Sequence, residues 1–303
     1  MSRPSDSPPP RFRAPVLLAL GCLDPAGHTG LVVDVKTCAA LGVHAALVPV
    51  ATSTATTAQQ GQTALVGAAM TIAQIGAVYG DLQVDAVKVG NLTAPDGVAA
   101  VSEGLQQAVA DGHKVEKIVV DPSLVDKMGV QRFDDGVAAA LVRHLLRRTT
   151  VLCANMWEAS LLTRRPVGDR ASIRDAAKAL FDKGVAFTAI HSPAEERFAV
   201  TIVFDGQGFV EFGDDRIRTA HLRGTGDAFS AAVAAELARG RAPLEAIEAA
   251  RTLVRMAIAH PLLVGGGPHP INPLAELFEA RGIDPNPILV DEDQGDQRPS
   301  GRA

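Results

Sequence analysis

Aromatic side chains are scarce in this sequence: one tryptophan, one tyrosine and ten phenylalanines amount to 4% of 303 residues. A ring-filled β-sandwich core is excluded on that count. The 47% of apolar residues, drawn mostly from Ala, Val and Leu beside abundant Gly, suit helices packed on a parallel sheet. Cysteine is also rare. Cys22, Cys38 and Cys153 lie far apart with no C-x-x-C pair, which excludes a disulfide framework and a zinc knot and points to a reducing, cytoplasmic setting. Positive charge is in deficit, 29 Lys and Arg against 34 Asp and Glu, so nucleic acid is not an expected partner. No long hydrophobic run occurs near the start. Ala14 to Leu20 is too short to span a bilayer, and Asp24-Pro25 follows it without a small-residue cleavage pattern, so it reads as a first core strand.

Between two tails rich in Pro, Ser and charge (1–13 and 284–303), expected to be disordered, strand-like and helix-like segments alternate. Strands are predicted at Val16–Leu20, Ala45–Val50, Ala86–Val89, Ile118–Val120 and Val151–Cys153. Helices are predicted at Gly30–Leu41, Thr63–Val78, Asp96–Ala110, Val137–Leu146 and Asn155–Leu162. Such alternation signals βαβ units and a mostly parallel sheet flanked by helices. After Phe187 the pattern changes. Phe198–Phe204 and Gln207–Phe212, joined by Asp205-Gly206, read as a hairpin, and helices follow at about Asp227–Ala238 and Pro243–Ala259. No repeat or interior linker is visible, so 14–283 is read as one α/β domain.

The sharpest motif is Gly224-Thr225-Gly226-Asp227 at the head of the apolar helix AFSAAVAAELA. Glycines let the backbone aim unpaired N–H groups at one point, and a helix N-terminus adds partial positive charge there. That arrangement suits an anion or a phosphoryl group in transfer. Asp227 in the first turn is placed to take a proton from a hydroxyl; taken alone, it reads better as an ordinary first-turn acid. The chain has neither Gly-Lys-Ser/Thr nor G-x-G-x-x-G. Near the N-terminus, Gly21 to Thr37 is a strand end, a turn with Asp24, Gly27 and Gly30, and a helix bearing Asp34. The turn leaves room for a flat ligand beyond the strand's carboxyl end. Asp34 is placed to accept hydrogen bonds from a ring; its bland alternative is a solvated acid.

With these blocks in order, the chain resembles the hydroxymethylpyrimidine/phosphomethylpyrimidine kinases of thiamine biosynthesis, vitamin kinases of the ribokinase-like fold. The matching stretches are Leu20–Gly42, Asp85–Leu92 (DAVKVGNL), Val119–Gly129 (VVDPSLVDKMG), Leu152–Leu162 (LCANMWEASLL) and Arg223–Ala232 (RGTGDAFSAA). The resemblance implies ATP-dependent phosphorylation of a hydroxymethyl group on a small ring alcohol. It implies a ring site at Gly21, Asp24, Gly30, Asp34 and Asn91, and an anion hole at Gly224, Thr225 and Gly226 with Asp227 as base. It further implies Asn155 and Glu158 near the nucleotide, Mg²⁺ beside Glu158 and Asp121, and commonly a homodimer.

Four departures bear on specificity. Asp227 replaces the cysteine usual in the pyrimidine enzymes, as it does in pyridoxal kinases. Ala55 occupies the position of a ring-contacting Gln or Glu, with Thr54, Thr56 and Gln59 as nearby polar candidates to replace it. Asn91 replaces an apolar residue that packs on the ring. The nucleotide-side Lys-Gly-Gly-His becomes Ala189-Ile190-His191-Ser192-Pro193, which leaves His191 on that side. A pyridoxal kinase, and a non-catalytic ligand-binding relative, remain the alternatives.

Overall fold

The computed structural model describes residues 12–125, 129–133, 135–192 and 198–288. Most of the two tails, part of the block around 126–128 and Pro193 lie outside the described residues. Arg13 and residues 284–288, assigned to the tails from sequence, are described, and Arg13 forms a two-pronged ion pair with Asp85 at 2.6 and 2.7 Å.

Strands β1 (Val16–Leu23), β2 (His44–Ser53) and β3 (Thr63–Leu65) are accompanied by helices α1 (Gly30–Ala40) and α2 (Ala68–Asp81). Then β4 (Ala86–Gly90), α3 (Pro95–Ala110), β5 (Ile118–Asp121), α4 (Asp135–His144), β6 (Thr149–Asn155) and α5 (Met156–Thr163) alternate. The chain continues through α6 (Arg170–Phe181), β7 (Phe187–His191), β8 (Phe198–Phe204) and β9 (Phe209–Asp215) to α7 (Thr225–Ala238), α8 (Pro243–Ala259) and α9 (Ala275–Arg281). The described strands form one 9-stranded sheet in the order β3-β2-β1-β4-β5-β6-β7-β8-β9. From β2 through β7 the neighbours are parallel, whereas β3, β8 and β9 pair antiparallel.

Alternation along each strand feeds two cores, as the two-residue period of a strand requires. Leu18, Leu20, Val87, Val89 and Val120 join the core shared with α2 to α6. Leu17, Ala86, Val119 and Val151 join the core under α7 and α8. From Asp227 to Ala238 every residue of α7 is buried, and α1 lies beside it on the same face. The sequence reverses direction across the sheet between β1 and β4. There the strand ends diverge into turns on opposite sides and leave a crevice at the carboxyl edge.

One predicted helix is corrected. Thr63–Leu65, read as the start of a helix, instead pairs antiparallel with β2 (Ala51 opposite Leu65). Gly67, with φ of 98°, separates this strand from α2. Open backbone bonds on the β2 edge outweighed the local helical spacing. The predicted hairpin is present, with Phe204 opposite Phe209. Helices α6 and α9 and strand β7 were not assigned from sequence.

Candidate active site

Close backbone approach builds the floor. A Cβ at Gly21 would stand 2.5 Å from the Gly90 carbonyl oxygen, and one at Gly30 (φ 59°) 2.3 Å from the Cys22 carbonyl oxygen. Only hydrogen fits either place. Asp24, read as a ring contact, organises the β1–α1 turn. It accepts from the amides of Ala26 and His28 (2.9 and 3.3 Å), from the Thr29 hydroxyl (2.8 Å), and from His28 Nδ1 in a short contact. These partners hold its carboxyl below the usual range in spite of burial. Its lone pairs are largely used, which is why a ligand role cannot be read from the residue type.

Asp34 meets a similar fate. It is fully buried, and its two oxygens accept from the ammonium of Lys88 at 2.9 and 3.0 Å. Lys88 is itself 0% exposed and comes within 3.5 Å of Asp227 Oδ1. The lysine leaves the middle of β4 on the α7 side and runs toward the carboxyl edge. It does so because residue 90, next on that face, is glycine: a Cβ there would stand 2.6 Å from Nζ. Burial pushes the Asp34 carboxyl up to about 7, and the charges of Asp227 and Asp121 add to this against the pull of Lys88. Burial alone would discharge Lys88, but Asp34, Asp227 and Asp121 together hold it charged, above its ordinary range. The ammonium thus has more acidic neighbours than it can neutralise.

At the head of α7, Gly224 caps the helix with φ of 87° and no side-chain bond, and a Cβ there would stand 2.5 Å from the His28 carbonyl oxygen. The phosphate-type loop and the β1–α1 turn are therefore in contact through bare backbone. Thr225 Oγ1 donates to the Leu222 carbonyl at 3.0 Å, which closes the turn into the helix. Among the described residues, the amides of Gly226 and Asp227 have no hydrogen-bond partner, as expected of first-turn donors. Asp227 is 7% exposed, and its Oδ2, unlike Oδ1, has no partner. One turn on, the Ser230 hydroxyl donates to Asp121 Oδ2 at 3.0 Å, and that carboxylate lies beside Gly226.

Asn155 and Glu158 form a reciprocal capping box at the start of α5. Asn155 Oδ1 accepts from the Glu158 amide at 2.9 Å, and Glu158 Oε2 accepts from the Asn155 amide at 3.0 Å. Glu158 Oε1 also accepts from the Leu124 amide at 2.9 Å, tying α5 to the loop after β5. Burial, then the nearby Asp121 charge, pushes Glu158 up to about 8. Burial likewise pushes Asp121 up to about 6, with Asp227 adding to it and Lys88 opposing.

His191, at the end of β7, bonds the Thr201 hydroxyl (2.9 Å) and sets its ring edge-on to Phe229 at 4.6 Å. Packed in this way it is no substitute for a mobile lysine. Thr54 and Thr56, candidates to replace a ring contact, accept the amides of Gln62 and Gln59 and hold the β2–β3 loop. Thr57 ties that loop to the Gly267 amide at 3.2 Å. Asn91 is buried in a left-handed conformation (φ 52°) at the end of β4, close to Gly30, with Oδ1 unpartnered. Sequence reasoning missed Lys88, Ser230 and His28. Only Lys88 gave a signal, a charge inside an apolar strand; the other two acquire their places through the turn and the helix face.

The sequence profile of the phosphomethylpyrimidine kinase family matches residues 24–272. The hydroxymethylpyrimidine/phosphomethylpyrimidine kinase of Rhizobium meliloti is 35% identical over 267 residues, covering 85% of this chain and 96% of that protein. In fold, the chain is similar to a pyridoxal kinase of Bacillus subtilis, solved as an ADP complex, with a TM-score of 0.79 at 24% identity over 88% of this chain and 99% of the other. A phosphomethylpyrimidine kinase of Clostridium difficile superposes with a TM-score of 0.71 at 22% identity, covering 81% of this chain and 100% of that one. The extent of these matches, together with the glycine-built crevice, shows that the chain belongs to the phosphomethylpyrimidine kinase family, ATP-dependent kinases on the ribokinase-like fold.

Proposed function

We propose that this protein transfers the γ-phosphoryl group of ATP to the hydroxymethyl oxygen of 4-amino-5-hydroxymethyl-2-methylpyrimidine, and then to its monophosphate. The observation that carries the reading is the head of α7, where unpaired amides of Gly226 and Asp227 adjoin a carboxylate with one unbonded oxygen. The amides stabilise charge on the phosphoryl group as it moves, and Asp227 Oδ2 orients the acceptor hydroxyl and takes its proton late in transfer. The acceptor ring lies in the crevice bounded by the Gly21–Gly30 turn and Asn91, with Asp34 acting from beneath through Lys88. Asn155 and Glu158 serve the nucleotide side, and His191 packs behind it.

Asp121 and Glu158 suit Mg²⁺. Both are buried carboxylates whose charged forms are disfavoured by burial, which a cation relieves, and Mg²⁺ prefers few carboxylates with waters and substrate phosphates. Among the described residues no group of three or more His, Cys, Asp or Glu could hold a metal by itself. When bound, Mg²⁺ supplies charge neutralisation on the phosphates. No described helix is long and apolar enough to cross a membrane. The exposed β3, with Leu65 uncovered, and the uncovered Met70 in the first turn of α2 support association as a homodimer.

A carboxylate at 227, in place of the usual thiol, favours a second reading with pyridoxal or pyridoxine as acceptor. ADP release with MgATP and a panel of the pyrimidine alcohol, its monophosphate, pyridoxal, pyridoxine and ribose decides between them. Turnover with the pyrimidines supports the first reading, and turnover with pyridoxal alone the second. Silence throughout, without ATP binding, rejects both in favour of a non-catalytic relative. Asp227→Asn should lower kcat by roughly a hundredfold or more with ATP binding nearly intact; near-normal turnover removes Asp227 from the mechanism.

A further inference from the structure

We infer that Lys88 is the positioning residue for Asp227: its ammonium, seated between Asp34 and Asp227, fixes which oxygen of Asp227 meets the acceptor hydroxyl. This rests on the reading of Asp227 as proton acceptor. An ammonium carries three N–H donors. Here three oxygens surround it: both of Asp34 at 2.9 and 3.0 Å, and Oδ1 of Asp227 at 3.5 Å. The donors are used up, and Asp227 keeps only Oδ2 open. The lysine reaches this place because Gly90 yields the space beside its Nζ and Cε.

A purely structural counter-ion explains less. A buried ion pair with good geometry at best breaks even against an apolar pair of the same shape. An Asp34–Lys88 pair formed for stability would need neither the approach to α7 nor the glycine that clears the way. Asp121 at the end of β5, Glu158 beyond it, and Cys22, Cys38 and Cys153 complete the ionisable surroundings. None of them is cationic; Arg132 acts on Cys22 from outside this group, and Lys88 is the cation that acts on Asp34 and Asp121.

Two variants and a control test the assignment. Lys88→Met combined with Asp34→Asn removes the closest charged pair together but leaves Asp121 and Asp227 without their cation, so a lowered thermal midpoint is expected and kcat is read well below it. We expect kcat to fall roughly tenfold to a hundredfold with the ATP KM within about twofold, since a misaimed group costs rate more than binding. Asp34→Asn alone is the reference; if it loses as much kcat as the double variant, the effect belongs to Asp34 and the inference fails. Should the double variant not fold, Gly90→Ala asks the same question with every charge kept, because the new methyl displaces the ammonium; unchanged kcat there also overturns it. Asp227→Asn separates the two readings. If it is active, the base assignment fails and this inference with it. If it is inactive while the double variant keeps wild-type kcat, only the role of Lys88 is lost.

Discussion

Asp34, Asp121 and Asp227 converge on one ammonium where β1, β4 and β5 end, and the glycines between them decide how near the backbones come. Gly224, like Gly30, combines a left-handed backbone with no room for a Cβ, which would stand 2.5 Å from the His28 carbonyl oxygen. For Gly224→Ala the backbone conformation alone costs about 1–2 kcal/mol, and the clash must push the β1–α1 turn away. Urea unfolding should show a lower midpoint, and ADP release at least a roughly tenfold loss; a silent substitution would mean that the two loops do not depend on each other. His191 carries a different signature. Burial, helped by the Arg251 charge, pushes its imidazole down from 6.5 to about 4. The unfolded chain therefore binds a proton between these values that the folded chain does not, so its contribution is full above 6.5 and lost as pH falls toward 4. Because the ring is partly exposed we expect about 1–2 kcal/mol of this loss. His191→Asn should flatten the acid side of a stability–pH curve, and parallel curves for the two proteins would refute it.

At the scale of elements, α5 shows one motif serving two purposes. Asn-x-x-Glu, recognised from family likeness, is here a capping box whose acid also ties down the loop after β5. Asn155→Ala should lower the thermal midpoint by roughly 2–4 °C, the worth of about 1 kcal/mol of cap. Asn155→Asp caps equally well and should restore it. An ATP KM that stays high in the Asp variant would give the amide a direct part in nucleotide binding. The alternating strands and the helices on them were legible because each obeys a local period: Leu18 and Leu20 to one core, Leu17 to the other. Thr63–Leu65 was not, because its pairing with β2 depends on an edge far away in sequence. The same holds for Asp24 and Asp34. Their residue types announced polar chemistry, but their partners, a turn's amides and a lysine from another strand, exist only once the chain has folded.

Among the described residues two main cores lie on either side of one sheet, with a small third cluster of Val33, Ala228, Ala257 and Ile271, and the site lies where the chain changes direction across that sheet. A ligand bound there touches elements from both halves and should stabilise the fold as a unit. MgATP at about 100 times its Kd contributes about 2.7 kcal/mol, which raises the thermal midpoint by roughly 5–11 °C. Asp227→Asn should keep that shift while losing turnover, and a variant that loses both would place the carboxylate in nucleotide binding instead. The seat of Lys88 carries a consequence for how such a chain can change over time. A hydrogen at position 90 and a long cation at 88 occupy one volume, so neither is an independent choice. Any lineage that enlarges residue 90 must first give up or reroute the lysine, and must then neutralise Asp34 by some other means. Changes at the two positions should therefore be coupled.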